Sequence, residues 1–180
     1  MKRAPLRHAC ALAVLLAVEC GAAAGSPLDV PFFAQKKNGC GAASVAMLMH
    51  YWEERRPGPT VIYPTPESVY ELLYRPGQKG ILLADMKRYL EDMRFRVFTL
   101  RGRWEDVEGH LAKGRPLIVA LKKGQTAAMH FVVVTGAGDE FVWLNDPTRR
   151  KSNRLKRPEF EKRWAFADRW MLLALPSSQE

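Results

Sequence analysis

Cys40 stands between two glycines in the stretch Gln35-Lys36-Lys37-Asn38-Gly39-Cys40-Gly41-Ala42-Ala43, directly ahead of an apolar run. The thiolate is the nucleophilic form of cysteine, and a helix N-terminus favours negative charge through its free N–H groups and dipole. Those two facts make Cys40 a chemically sensible attacker. The flanking glycines let a substrate backbone approach closely and allow an unusual turn into the helix. Gln35 can place an amide N–H beside the Cys40 backbone N–H, and two such donors would hold a developing oxyanion. The competing structural reading makes Gln35 a solvated loop residue and Cys40 a small core side chain.

A thiol nucleophile needs a base, and the chain holds four histidines. His8 falls within an N-terminal segment that reads as an export signal. His50 lies on the same helix as Cys40, roughly 15 Å further along at 1.5 Å per residue, and is out of reach. His110 flanks the apolar stripe of Trp104, Val107 and Leu111 in a short helix and reads as a surface residue. His130 remains, near the start of a strand. Its other ring nitrogen is best oriented by a polar partner. If Thr135 pairs with Glu140 across a hairpin, Asn145 falls opposite His130; a slip of one residue puts Asp146 there instead. Either side chain can accept the imidazole N–H, although Asn145-Asp146-Pro147 is also a turn sequence in its own right.

The elements that must position these groups follow from periodicity. Val30 to Phe33 is extended, since proline disfavours helix at its predecessor. Gly41 to Trp52 is apolar on every face, as a helix central to a core must be. Arg55 to Pro66 carries four prolines and is a loop. Thr65 caps a helix with Pro66 in its first turn, running to Tyr74, and Leu82 to Met93 forms a third. Phe95 to Leu100 is a strand, Trp104 to Lys113 a short helix, and Pro116 to Leu121 a strand. Met129 to Thr135 and Glu140 to Asn145 flank a Gly-rich hairpin turn. Arg149 to Arg157 is a basic loop, Pro158 to Trp164 a helix, and Trp170 to Ala174 a last strand. Helices first and strands last make this an α+β chain, with the central N-terminal helix packed on a C-terminal antiparallel sheet.

The 180 residues carry 28 Lys and Arg against 19 Asp and Glu, a net charge of +9, with 47% hydrophobic residues. This is a globular composition, and one domain is the default at that length. Lys2, Arg3 and Arg7, the apolar stretch Ala9 to Val18 and the small residues Ala22-Ala23-Ala24 make residues 1–24 a signal peptide, leaving one domain over 25–180. Cleavage removes Cys10 and Cys20, so Cys40 is the single thiol of an exported protein, periplasmic or extracellular. Glu19 before Cys20 fits a lipid-attachment site poorly. The scattered cysteines and histidines lack metal-ligand spacing, and Gly77-Gln78-Lys79-Gly80 lacks the phosphate-loop pattern, so no metal or cofactor is expected. The basic loop has no interleaved aromatic residues for base stacking. It reads as a solvated segment or one resting on an acidic cell envelope, and nucleic acid is not expected as a partner.

Taken together, the Gln35…Cys40-Gly41-Ala42-Ala43 helix, the Met129-His130-Phe131-Val132-Val133-Val134 strand and the Asn145-Asp146-Pro147 turn resemble the bacteriocin-processing peptidases. These are papain-like cysteine peptidases known for cutting double-glycine leader peptides. The resemblance implies a papain-like fold with Cys40 as nucleophile, His130 as general base, Asp146 as its orienter and Gln35 as oxyanion-hole donor. It also implies a peptide or protein substrate and a separately encoded exporter. Leader peptidases of this family are typically fused to a membrane exporter and work on the cytoplasmic side. This chain carries its own export signal, so a peptide or amide bond outside the cytoplasm is the expected target. A catalytically silent peptide-binding module and a cell-wall amidase or transpeptidase are the rival expectations.

Overall fold

The computed structural model describes residues 26–55, 64–125 and 128–177. The expected signal peptide and most of the proline-rich loop lie outside them. Helix α1 (Cys40–Glu53) is followed by α2 (Pro66–Leu73), a short 3-10 turn at Pro76–Gln78, and α3 (Leu83–Asp92). Strand β1 (Phe95–Arg101), α4 (Trp104–Leu111), β2 (Leu117–Leu121), β3 (His130–Ala137), β4 (Phe141–Asn145), β5 (Asn153–Lys156), α5 (Arg157–Ala165) and β6 (Trp170–Pro176) complete the order. Every expected helix and strand forms, with ends shifted by a few residues. Thr65 caps α2 as expected, its hydroxyl accepting the Ser68 N–H at 3.3 Å.

The six strands form one antiparallel sheet in the order β1-β6-β2-β3-β4-β5. Alternation along the strands separates two cores. Ile118, Ala120, Phe131, Val133, Leu172 and Ala174 face α1, whose residues from Gly41 to Met49 are all buried. Val119, Val132, Val134, Leu144 and Leu173 face the opposite way, against Trp104, Val107, Phe160 and Trp164 of α4 and α5. The sheet is therefore covered on both sides, and the layer beyond it supplies a second core that the α1-on-sheet expectation lacked.

Three further expectations are corrected. Residues 149–157 are not all loop: Asn153–Lys156 is β5, the edge strand paired with β4. Its alternate residues Asn153 and Leu155 turn inward while Arg154 and Lys156 face water, so the charges that suggested a loop are those that keep an edge strand from pairing further. The hairpin register also differs. Val133 pairs with Asn145 and Val134 with Leu144, and the ladder then bulges before Gly136 pairs with Trp143. The strands absorb Gly136 and Ala137, and the turn tightens to Gly138–Glu140, closed by the Gly138 N–H on Phe141 O at 2.9 Å. Thus Asn145 sits three residues deeper along β3 than His130 and is not opposite it.

The third correction concerns the glycines beside Cys40. Gly39 has φ −100° and an ordinary backbone, and the left-handed turn into α1 falls on Asn38 at φ 60°. A Cβ on Gly41 would meet Met86 Sδ at 3.1 Å and Ile81 Cβ at 3.2 Å, and one on Gly39 would meet the Tyr70 ring at 3.0 Å. These glycines let α2 and the α3 region press onto the start of α1, which fixes where the thiol sits.

Candidate active site

Cys40 is the first residue of α1 and His130 the first of β3, and these two elements pack directly on each other. The thiol is free and half-buried. No side chain caps α1 and no acidic residue occupies its first turn, so the positive end of the helix dipole acts on Cys40 undiminished. The imidazole of His130 lies close enough to the Cys40 side chain for the thiol to favour its charged form.

On the far side of the ring, His130 Nε2–H donates to Asp146 Oδ1 at 2.7 Å. That assignment leaves Nδ1 for the thiol. The same Oδ1 accepts the Thr148 backbone N–H at 3.0 Å and the Thr148 hydroxyl at 2.7 Å, while Oδ2 lies 3.5 Å from Arg149 Nε. Asp146 is thus buried but fully satisfied, which is the condition for keeping a carboxylate charged away from water. Burial works against its charged form, yet the hydrogen bonds from His130 and Thr148 prevail and lower its pKa to about 2. At His130, burial disfavours the charged ring; the hydrogen bonds and charges of Asp146 and Cys40 outweigh it and raise the pKa from 6.5 to about 9. Both shifts favour the protonated imidazole, the form His130 takes once it has accepted a proton.

The sequence left the orienter open between Asn145 and Asp146. The geometry separates them. Asn145 Nδ2 donates to Val30 O at 2.9 Å and Pro31 O at 3.3 Å, and its Oδ1 accepts the Ser152 N–H at 2.9 Å. It pins the N-terminal strap against the sheet. Asp146, one residue past the end of β4, reaches His130 because the chain turns there, not through cross-strand pairing. Thr148 is the partner that sequence reading missed; an Asp followed two positions later by a hydroxyl residue is the signature of an Asx turn, and it was legible.

Gln35 is brought to the same place. Its backbone N–H donates to Pro147 O at 3.1 Å, which ties the segment before Cys40 to the turn carrying Asp146. The side-chain Oε1 is buried without a hydrogen-bond partner among the described residues. His50 is elsewhere, 3.2 Å from Glu53 and edge-on to Phe33. His110 is half-buried rather than exposed, with burial and the nearby Arg115 and Lys113 lowering its pKa. Among the described residues, no group of three His, Cys, Asp or Glu side chains gathers as a metal site would require.

The sequence profile of the Peptidase_C39 like family matches residues 27–170. Solved structures similar to this chain include a protein from Bacillus anthracis described as a C39-like peptidase, at 16% identity and TM-score 0.63, covering 84% of this chain and 97% of that one. A double-glycine motif protease from an AMS/PCAT transporter, crystallised with its leader peptide, matches at 19% identity and TM-score 0.65 over 84% of this chain and 94% of that one. The peptidase domain of Streptococcus ComA, a bi-functional ABC transporter, matches at 17% and 0.63 over 82% and 98%. Among curated proteins, none matches in sequence. The chain belongs to the C39-like peptidase family and has the papain-like fold that these structures share.

Proposed function

We propose that this member of the C39-like peptidases is an exported cysteine peptidase that hydrolyses a peptide bond through Cys40, His130 and Asp146. One observation carries the reading: a thiol at a helix N-terminus stands beside an imidazole whose other side is hydrogen-bonded to a buried and satisfied carboxylate. A solvated histidine or a core cysteine has no need of that arrangement. Cys40 gives its proton to His130 and attacks the carbonyl carbon. Gln35 Nε2 and the Cys40 backbone N–H hold the oxyanion. His130 then protonates the leaving amine and activates the water that hydrolyses the thioester, while Asp146 holds the ring in its productive tautomer.

Export rests on the basic start, the apolar stretch Ala9 to Val18 and the Ala22-Ala23-Ala24 end of residues 1–24. N-terminal sequencing of the protein recovered from cell fractions tests it, with Gly25 as the expected first residue. The substrate is then a peptide met outside the cytoplasm, delivered by a separately encoded exporter. A panel of peptides, double-glycine leader peptides among them, and muropeptides tests the reaction class. Release of peptide fragments by the wild type and not by Cys40→Ala is the expected result. Cys40-dependent release from muropeptides alone makes the enzyme a cell-wall amidase or transpeptidase. Retained peptide binding with no product from any member makes it a binding module.

A further inference from the structure

Beside His130 and Asp146, and without Cys40 in its wall, lies a cavity of about 260 Å³ ringed by Lys122, Lys123, Arg149 and Arg163. Among the described residues of that wall, Asp146 is the only acid, and it is already committed to His130 and Thr148. Arg163 is paired with Glu159 at 3.1 Å and Arg149 lies 3.5 Å from Asp146. Lys122 and Lys123 have no ion-pair partner among the described residues. Lys122 is nevertheless fixed in place: it follows Leu121, which pairs with His130 across β2 and β3, and its backbone N–H donates to Arg163 O at 3.0 Å. Two lysines without ion-pair partners among the described residues thus line the same cavity as the imidazole.

The position of the cavity gives it a place in the reaction. His130 must deliver its proton to the leaving amine, so the part of the substrate beyond the cleaved bond has to run past the imidazole. His130 shares its parity with Val132 and Val134, which face α4 and α5, and the cavity lies on that side, bounded by Arg163 of α5. Its volume is below the roughly 300–1,000 Å³ of drug-sized ligand sites, and suits one or two peptide residues. Excess positive charge there attracts a carboxylate and repels a lysine or arginine at the same position.

We propose that this cavity is a specificity subsite for a carboxylate within the first two residues of the leaving segment, supplied by an Asp or Glu side chain or by the terminal carboxylate of a short peptide. The inference rests on the proposed peptidase activity and names the substrate class of the same site. Its test uses amidated octapeptides built on a double-glycine site, with both residues after the second glycine set to Glu, Gln or Lys. A truncated Gln peptide, ending at the second of those residues with a free carboxylate, joins them. The expected order of kcat/KM is Glu about tenfold above Gln, with Lys lowest. The double variant Lys122→Ala/Lys123→Ala brings Glu to within about twofold of Gln, and raised salt narrows the wild-type preference in the same direction. A truncated peptide cut faster than its amidated counterpart assigns the cavity to chain termini; a preference confined to Glu side chains assigns it to internal acidic residues.

A second arm reads binding without turnover. Fluorescein-labelled Glu and Gln octapeptides are titrated into Cys40→Ala and followed by anisotropy, with a Glu preference expected that the added lysine changes abolish. Cleavage without charge preference overturns the subsite and leaves the peptidase standing. A lysine-dependent Glu preference in binding, with no cleavage by the wild type, overturns the peptidase and leaves the subsite standing. A preference that survives loss of both lysines places the carboxylate elsewhere and overturns the assignment.

Discussion

The two faces of the sheet are built to different rules. Against the α1 face the contacts are close and made by small residues: Gly41, Ala42, Ala43 and Ala46 are buried, and neighbouring side chains lie where a Cβ on Gly41 would stand. On the other face the filling is aromatic, with Trp104 edge-on to Phe160 at 6.2 Å and Phe160 tilted on Trp164 at 5.6 Å. Small residues fix position, because neighbouring side chains rest directly on the helix backbone. Large aromatic rings bury area, which is the main source of stability in a domain of this size. One face sets where the start of α1, and with it Cys40, stands; the other holds the sheet together.

Substitutions on each face should therefore fail in different currencies. The largest expected effect is chemical. Cys40→Ala abolishes turnover, and His130→Ala lowers kcat/KM by about 10²–10⁴-fold with a small change in Tm. Iodoacetamide labelling of Cys40 near pH 6 should slow at least about tenfold in His130→Ala, since the imidazole beside the thiol is then gone. Labelling that is unchanged in this variant would mean the two side chains do not act as a pair. On the opposite face, Trp164→Ala is expected to cost about 3–5 kcal/mol in urea unfolding, because it opens a cavity where the ring is fully buried. Labelling of Cys40 in the fraction that stays folded should be unaffected. A coupled loss of both would erase the division between the faces.

The next effect is a pH dependence, and its sign is set by two groups. His130 titrates near 9 when folded against an ordinary 6.5. Its stabilisation is complete below pH 6.5 and is lost as pH rises through about 9, on the order of 2 kcal/mol after allowance for its partial exposure. Asp146, lowered from 3.8 to about 2, stabilises above pH 3.8 and loses that contribution as pH falls through about 2. Urea midpoints measured from pH 6 to 10 should fall in the wild type and flatten in His130→Ala; parallel curves would count against the charged imidazole. The smallest effect is steric. Gly41→Ala presses a methyl group on Met86 and Ile81, with an expected cost of about 1 kcal/mol by thermal melting. It should also displace the thiol enough to slow labelling, an effect that an alanine on the solvated Gly109 should not produce.

Much of this was legible in the sequence, and the parts that were not have physical reasons. Cys40 and His130 emerged from chemistry and elimination, and α1 from its uniformly apolar faces. The second core was hidden because Trp104, Val107, Phe160 and Trp164 lie on short helices whose periodicity says that they are buried but not which side of the sheet they cover. β5 was hidden by its own charges. Choosing between Asn145 and Asp146 required a register, and the bulge at Val134–Gly136 together with a tighter turn moved that register by more than the single step that turn chemistry suggested. The unusual turn read from the glycines around Cys40 falls on Asn38 instead, since close packing leaves the same mark in a sequence as a strained turn.

The strand order has a consequence for how the molecule comes into being. β6, the last strand of the chain, lies between β1 and β2, pairing with β1 along seven residues and with β2 at Ile118 and Val119. A chain emerging from its N-terminus has β1 and β2 in hand long before anything can join them. The α1–β3 scaffold beneath the thiol cannot rest on a finished sheet until residues 170–176 arrive. Such a topology folds late and as a whole, through contacts distant in sequence. Synthesis can therefore run almost to its end before Cys40, His130 and Asp146 are locked into one arrangement.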